Sequence, residues 1–343
     1  MRAARYLPCV ERIIRVISRR LFGLGGVSAI AARSLAATAA RAEEWPNRPV
    51  KIVIPFGAAG ASDRFGRLVA TELSKALNQQ FYAENKPGAA GVTASAEVSR
   101  AQPDGYTLVL AGMGPHITGP ALNPQIGYDP ISEFTHIAMV AGDSTLFAVN
   151  PALGVKTLPD LIKLAKSGTV AINCGSPGVG TIGHLSLEQF RRKAGVMNIA
   201  HVPYRGGGPL SIDLLGNHVS TAFIATASGI EQVRAGTIIP LAVTTSERVA
   251  TLKDVPTFAE LGYPDVDSTT WGWLAGPPNM PTEIVSKLNT AIRRFINTPE
   301  IQQRFAADSM LTKDMDSDAL TKFLAGELQR WKALVQEAGL VEK

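Results

Sequence analysis

Two periods alternate along this chain, and no other feature limits its fold as much. Short β-branched or apolar runs at 50–54, 106–110, 136–140, 145–149, 170–173, 221–224 and 240–244 read as strands. Between several of them, 63–77, 90–101, 158–167, 183–194, 208–215 and 229–235 carry apolar residues at helical spacing. Strands separated by helices pair most simply in parallel, in a sheet covered on both faces. The pattern restarts near Asp143 and runs to about Tyr263, after which 282–297, 299–309 and 317–338 are three helices without long strands between them. Those helices need a surface, and returning the chain to its first unit supplies one. The expectation is an α/β protein of two lobes, 43–143 plus 265–343 and 144–264, with a cleft between them. With 343 residues, 45% of them apolar, there is material for two cores.

Within that frame, small-residue loops join strands to helices. In "KIVIPFGAAGASDRFGRLVATEL" the loop feeds a helix N-terminus, where open N–H groups and the dipole favour an anion. Ser62 or Asp63 is placed as its N-cap. No Gly-Lys-Ser/Thr follows, and Gly57, Gly60 and Gly66 lack dinucleotide-binding spacing, which leaves a backbone anion cradle or an ordinary tight turn. A second such loop, "GSPGVGTIGHL", lies in the other lobe. A third, "VPYRGGGPLSIDLLGNH", has Gly206, Gly207 and Gly208 for close backbone approach and Pro209 for a first helical turn.

The charge divides unevenly. Residues 1–42 hold eight arginines and one glutamate, leaving 26 basic and 28 acidic side chains, a net −2, for the rest of a chain whose formal charge is +5. No basic stripe for nucleic acid remains after residue 42. The leader reads as an export signal of twin-arginine type: Ser18-Arg19-Arg20 precedes an uncharged run over 21–32, and Ala40-Arg41-Ala42 offers cleavage after Ala42. Such cleavage leaves Cys174 as the single cysteine, without an internal disulfide.

Motifs for catalysis are weak. His116, His136, His184, His201 and His218 show no metal-ligand spacing, and G-x-S-x-G is absent, so no catalytic residue, metal site or cofactor is expected. Ser176, His184 and Asp213 form a triad only on paper; a turn serine, a helix-start histidine and a capping carboxylate describe them better. Trp271 and Trp273 share one side of a strand and read as core.

The ordered set "WPNRPVKIVIPFGAAGASD", "ENKPGAAG", "PDGYTLVL", "GSPGVGTIGHLSLE", "VPYRGGGPLSIDLLGN", "LAVTTSERVATLKDVPTFAELGYP" and "RWKALVQEAG" resembles the extracytoplasmic solute-binding receptors of tripartite tricarboxylate transporters, the Bug receptors, over residues 45–342. The resemblance implies a type II periplasmic-binding, Venus-flytrap fold and a small carboxylated solute held in the interlobe cleft. It implies a periplasmic protein, not an enzyme, that hands its solute to membrane transporter subunits. A histidine-kinase sensory role and a carboxylate-processing enzyme on the same fold are the rivals. By motif, first-lobe contacts fall on Phe56, Gly57, Ala58, Ala59, Gly60, Ser62 and Asp63, with Gly112 and Met113. Second-lobe contacts fall on Gly178, Gly180 and Thr181, with Pro203 and Tyr204. Asp63 and Asp213 are given structural or water-orienting roles, and Gly180→Val is expected to crowd the cleft with little effect on the fold. Ala59 stands where the family usually has glycine, and Ser220 where an acidic residue is common.

Overall fold

A single 15-residue strand organises the molecule. In the computed structural model, which describes residues 44–58 and 61–341, the elements run β1 (Val50–Ile54), α1 (Ala61–Leu77), β2 (Phe81–Asn85), α2 (Val92–Ser99), β3 (Thr107–Gly112), α3 (Gly119–Leu122) and β4 (Thr135–Val149). They continue α4 (Leu158–Ser167), β5 (Asn173–Ser176), α5 (Ile182–Ala194), β6 (Ala200–Pro203), α6 (Gly207–Leu215), β7 (Thr221–Ala225), α7 (Thr226–Arg234) and β8 (Ile239–Val243). The last are β9 (Thr269–Gly276), α8 (Thr282–Ile296), α9 (Pro299–Ala307), β10 (Met310–Leu311) and α10 (Ser317–Ala338). The leader, with its proposed cleavage after Ala42, lies outside the described residues.

The strands join in the order β2-β1-β3-β9-β4-β7-β5-β6, with β8 and β10 also paired to β4. The expected parallel pairing holds for β2-β1-β3 and for β7-β5-β6, but β9, β8, β10 and β4 add antiparallel pairs. The sheet is therefore mixed. The runs expected at 136–140 and 145–149 are one strand, because Gly142, Asp143 and Ser144 continue the ladder against Trp271, Thr270 and Thr269. The run at 170–173 is displaced. Gly168 ends α4 at φ +65 and Val170 is exposed, so pairing begins only at Asn173. Neither β2 nor β6 was anticipated from the sequence.

Three apolar clusters fill the interior. One gathers Trp271 and Trp273 of β9 with Leu320, Leu324, Leu328 and Trp331 of α10, as their spacing predicted. A second centres on Phe147, Phe190, Phe223 and Phe258, with Phe147 and Phe223 stacked at 4.3 Å; a third packs α6 and α7 beneath β7 and β8. From Arg48 onward the chain is one compact unit, and Ile182 and Leu185 of α5 join the cluster around α10.

Candidate functional site

The course of β4 brings two sheet edges together. It leaves the β1-β2-β3 set where Gly112, Gly272 and Ala141 stand in one row across β3, β9 and β4. Four residues later Thr145 pairs with Ala225, the last residue of β7. The carboxyl ends of both parallel sets thus converge on residues 142–145, the place where open α/β sheets hold ligands. Hydroxyl groups knit this crossing. Ser144 Oγ donates to Thr226 Oγ1 at 2.6 Å, Thr244 Oγ1 donates to the Ser268 carbonyl at 2.5 Å, and the Ser186 and Ser268 hydroxyls meet at 2.7 Å.

The first loop rises from β1. Phe56 is half-buried, Gly57 and Ala58 are exposed, and Ala59 and Gly60 lie outside the described residues. Ser62 and Asp63 fall inside the first turn of α1, which is already helical at Ala61, so neither is the N-cap expected of it. Asp63 is nearly buried and its carboxylate is engaged: Asn85 Nδ2 donates to Oδ1 at 2.9 Å and Arg67 Nε to Oδ2 at 3.0 Å. The same Asn85 amide donates to the Phe56 carbonyl at 3.0 Å, fixing the loop to the end of β2. Gly112 ends β3, and Met113 turns its side chain into the core. Beside this loop Ala89 and Ala90 hold left-handed backbone (φ +44 and +53), and Gly91 lies against Phe56, where an added Cβ would stand 3.4 Å from its ring. Left-handed alanine costs roughly 1–2 kcal/mol per residue, and such strain gathers at functional sites.

The second loop leaves β5. Gly178 and Gly180 take φ +149 and +76, and Thr181 caps α5 by accepting from His184 N–H while its own hydroxyl donates to the Gly178 carbonyl at 2.7 Å. Gly180 N–H, expected to face an anion, instead donates to His184 Nδ1 at 3.1 Å. The open donors of the α5 cradle are then the Ile182 and Gly183 N–H groups, which have no intrahelical acceptor. Pro203 pairs with Ser176, and the Tyr204 hydroxyl donates to Asp213 Oδ2 at 2.7 Å while Tyr204 N–H donates to the Ser176 carbonyl. Burial and the Asp213 carboxylate push the Tyr204 phenol up to about 12, so it is a neutral donor.

Ser176 meets His201, not His184: Oγ to Nε2 is 2.7 Å, and the His184 and His201 rings stack at 4.1 Å. Burial pushes both imidazoles down to about 4, His184 further through His201 and Arg191, which leaves them uncharged and weakly basic near neutral pH. With Asp213 committed to Tyr204, the paper triad of Ser176, His184 and Asp213 does not assemble. Asn85 lies in the motif ENKPGAAG and His201 is weighed there only as a metal ligand, and neither is assigned to the site from the sequence. Asp143 carries a signal, as a charge within the apolar run 136–149.

Comparison with known proteins is consistent with this geometry. Residues 65–340 match the model of the tripartite tricarboxylate transporter family receptor. The solved R. palustris protein Rpa4515 with adipate is 32% identical, covering 86% of this chain and 99% of its own, with a TM-score of 0.80. MatC from Rhodopseudomonas palustris, solved with bound malate, is 29% identical, covers 85% and 100%, and gives 0.76. Protein BugT of Bordetella pertussis is 30% identical over 299 residues, 87% of this chain and 91% of its own.

Proposed function

Because this chain belongs to the tripartite tricarboxylate transporter receptor family, we propose that it is a periplasmic receptor that closes its two lobes on a small carboxylated solute and delivers it to membrane subunits of such a transporter. The observation that carries this reading is the convergence of two carboxyl-end sheet edges at residues 142–145, each supplying helix N-termini. α1 faces the crossing from one side, and α5 and α7 from the other. Helix N-termini favour an anion, and charge-assisted hydrogen bonds are about twice as strong as neutral ones. The adipate and malate bound to the two R. palustris relatives support a carboxylate class.

Contacts are assigned to Phe56, Gly57, Ala58, Ala59 and Gly60 on the first loop, to Gly112 at the end of β3, and to Gly178, Thr181 and Pro203 opposite. Asp63 and Tyr204 shape the walls through Asn85, Arg67 and Asp213. Titration calorimetry with adipate, malate and their neutral diamides tests the reading. An acid should bind and be recovered unchanged, and a hundredfold excess over Kd should stabilise the fold by about 2.7 kcal/mol. Equal binding of the diamides would remove the anion cradle, and chemical conversion of the acid would make the protein an enzyme.

A further inference from the structure

The carboxylate of Asp143 lies at the crossing of β4, and among the described residues no side chain hydrogen-bonds to it. It sits two residues beyond the Gly112-Gly272-Ala141 row and two before the Thr145-Ala225 pair, between the two sheet edges. It is 3% exposed, and neither oxygen has a hydrogen-bond partner among the described residues. The N–H groups of Thr226 and Ala227, at the start of α7, lie close enough to favour the charged form without reaching hydrogen-bond geometry. Among charged groups, Arg64 in the first turn of α1 attracts it and Asp308 before β10 repels it; β9 presents Thr269 and Thr270 here, and α7 Thr226. Burial outweighs these and lifts the carboxyl to about 7. A second carboxylate placed beside it cannot share the site with both ionised, so one must hold a proton.

We propose that Asp143 is the floor of the interlobe cleft and receives an acidic solute in its protonated form, donating its hydrogen to an oxygen of the bound carboxylate, so that where Asp143 is ionised beforehand the solute enters together with a proton drawn from solvent. This inference rests on the solute-binding reading above. It adds a coupling that the backbone cradles do not supply: occupancy rises with acidity, and release is favoured where protons are scarce.

The test is calorimetry of the full chain with adipate at pH 6, 7 and 8, each in two buffers of different ionisation enthalpy, which yields the protons taken up per adipate bound. At pH 8 uptake should approach one, and affinity should fall toward tenfold per pH unit above pH 7. At pH 6 uptake should be small. Asp143→Asn keeps a donor, so it should still bind adipate, with uptake removed and the pH profile flat; Asp143→Ser repeats the test if the asparagine variant does not fold. Binding by the wild type at pH 8 without proton uptake overturns the proposal, as does uptake that survives in a folded Asp143 variant. Failure of wild type to bind adipate, malate or any other acid in a carboxylate panel would defeat the solute-binding reading and this inference together. Binding without uptake defeats only this one.

Discussion

Gly180 is constrained twice. Its φ of +76 belongs to the region L side chains avoid, and a Cβ there would stand 2.5 Å from Leu122 Cδ1. Substitution therefore acts on the fold as well as on the cleft, which corrects the expectation that Gly180→Val has little effect on the fold. Gly180→Ala should destabilise by about 1–2 kcal/mol from backbone strain alone, and Leu122→Ala in the same chain should recover only the steric part. Urea unfolding of the two single variants and the double variant measures the split; full recovery in the double variant would mean that the backbone strain is absent. Titration gives a second residue-scale prediction. Burial pushes His116 down to about 3 and His136, His184 and His201 to about 4, the first aided by His136 and the third by its histidine and arginine neighbours. A depressed histidine binds fewer protons folded than unfolded, so its contribution is intact above its unfolded value near 6.5 and is lost as pH falls toward 4. Asp143, raised to about 7, acts oppositely, losing stability as pH rises from about 4 to 7. Burial raises the Asp267 carboxyl as well, so four histidines stand against two carboxyls, and stability rises with pH between 4 and 6.5. His116→Phe should make that rise shallower by about one proton, read from unfolding free energy against pH, and an unchanged slope would contradict the assignment.

At the scale of elements, α10 shows local and tertiary signals in agreement. Asp316 caps it, Oδ1 accepting from Ala319 N–H at 2.8 Å, and Gly339 ends it at φ +65. Leu320, Leu324, Leu328, Trp331 and Val335 place one stripe against β9 and α5. Asp316→Ala should cost about 1 kcal/mol, measurable by thermal melting, because the first-turn N–H then loses its acceptor. No change would mean that water replaces the cap fully. Helices with caps and an apolar stripe were legible for this reason, and 158–167 and 317–338 match α4 and α10 to the residue. β5 was not, since Asn173, Cys174, Gly175 and Ser176 have little strand propensity. Their extended form comes from pairing with β6 and β7, and burial of Cys174.

Across the whole molecule, β4 and β9 carry the chain between the two sets of parallel strands, and in the proposed function they form the floor of the cleft. The hydroxyl contacts there, through Ser144, Thr226, Thr244 and Ser268, are short and buried, while Ile182 and Leu185 of α5 pack into the cluster around α10, so any opening of the proposed cleft must also part that apolar contact. A solute that touches both lobes binds the closed arrangement more tightly and shifts the population toward it. Small-angle scattering should show a smaller radius of gyration on adding a saturating acid than without it. An unchanged radius together with tight binding would require a cleft already closed before the solute arrives.

What the sequence determined by itself is whatever depends on neighbours within a few positions: the helices, the strand-to-helix loops, the α/β class, and the motifs that identify the receptor family. Local chemistry suffices there, since helical spacing, capping residues and left-handed glycines act over a turn or two. The tertiary structure decided what each loop's atoms are committed to. It gave Gly180 N–H to His184, the Asp63 carboxylate to Asn85 and Arg67, and Ser176 to His201, partners 4 to 25 positions away. It also decided that Gly142, Asp143 and Ser144, which look like a break in the sequence, continue one strand that joins the two sets of parallel strands. Strand pairing is made by backbone groups distant in the chain, so no local pattern encodes it, and the isolation of a buried carboxylate appears only once every neighbour is in place.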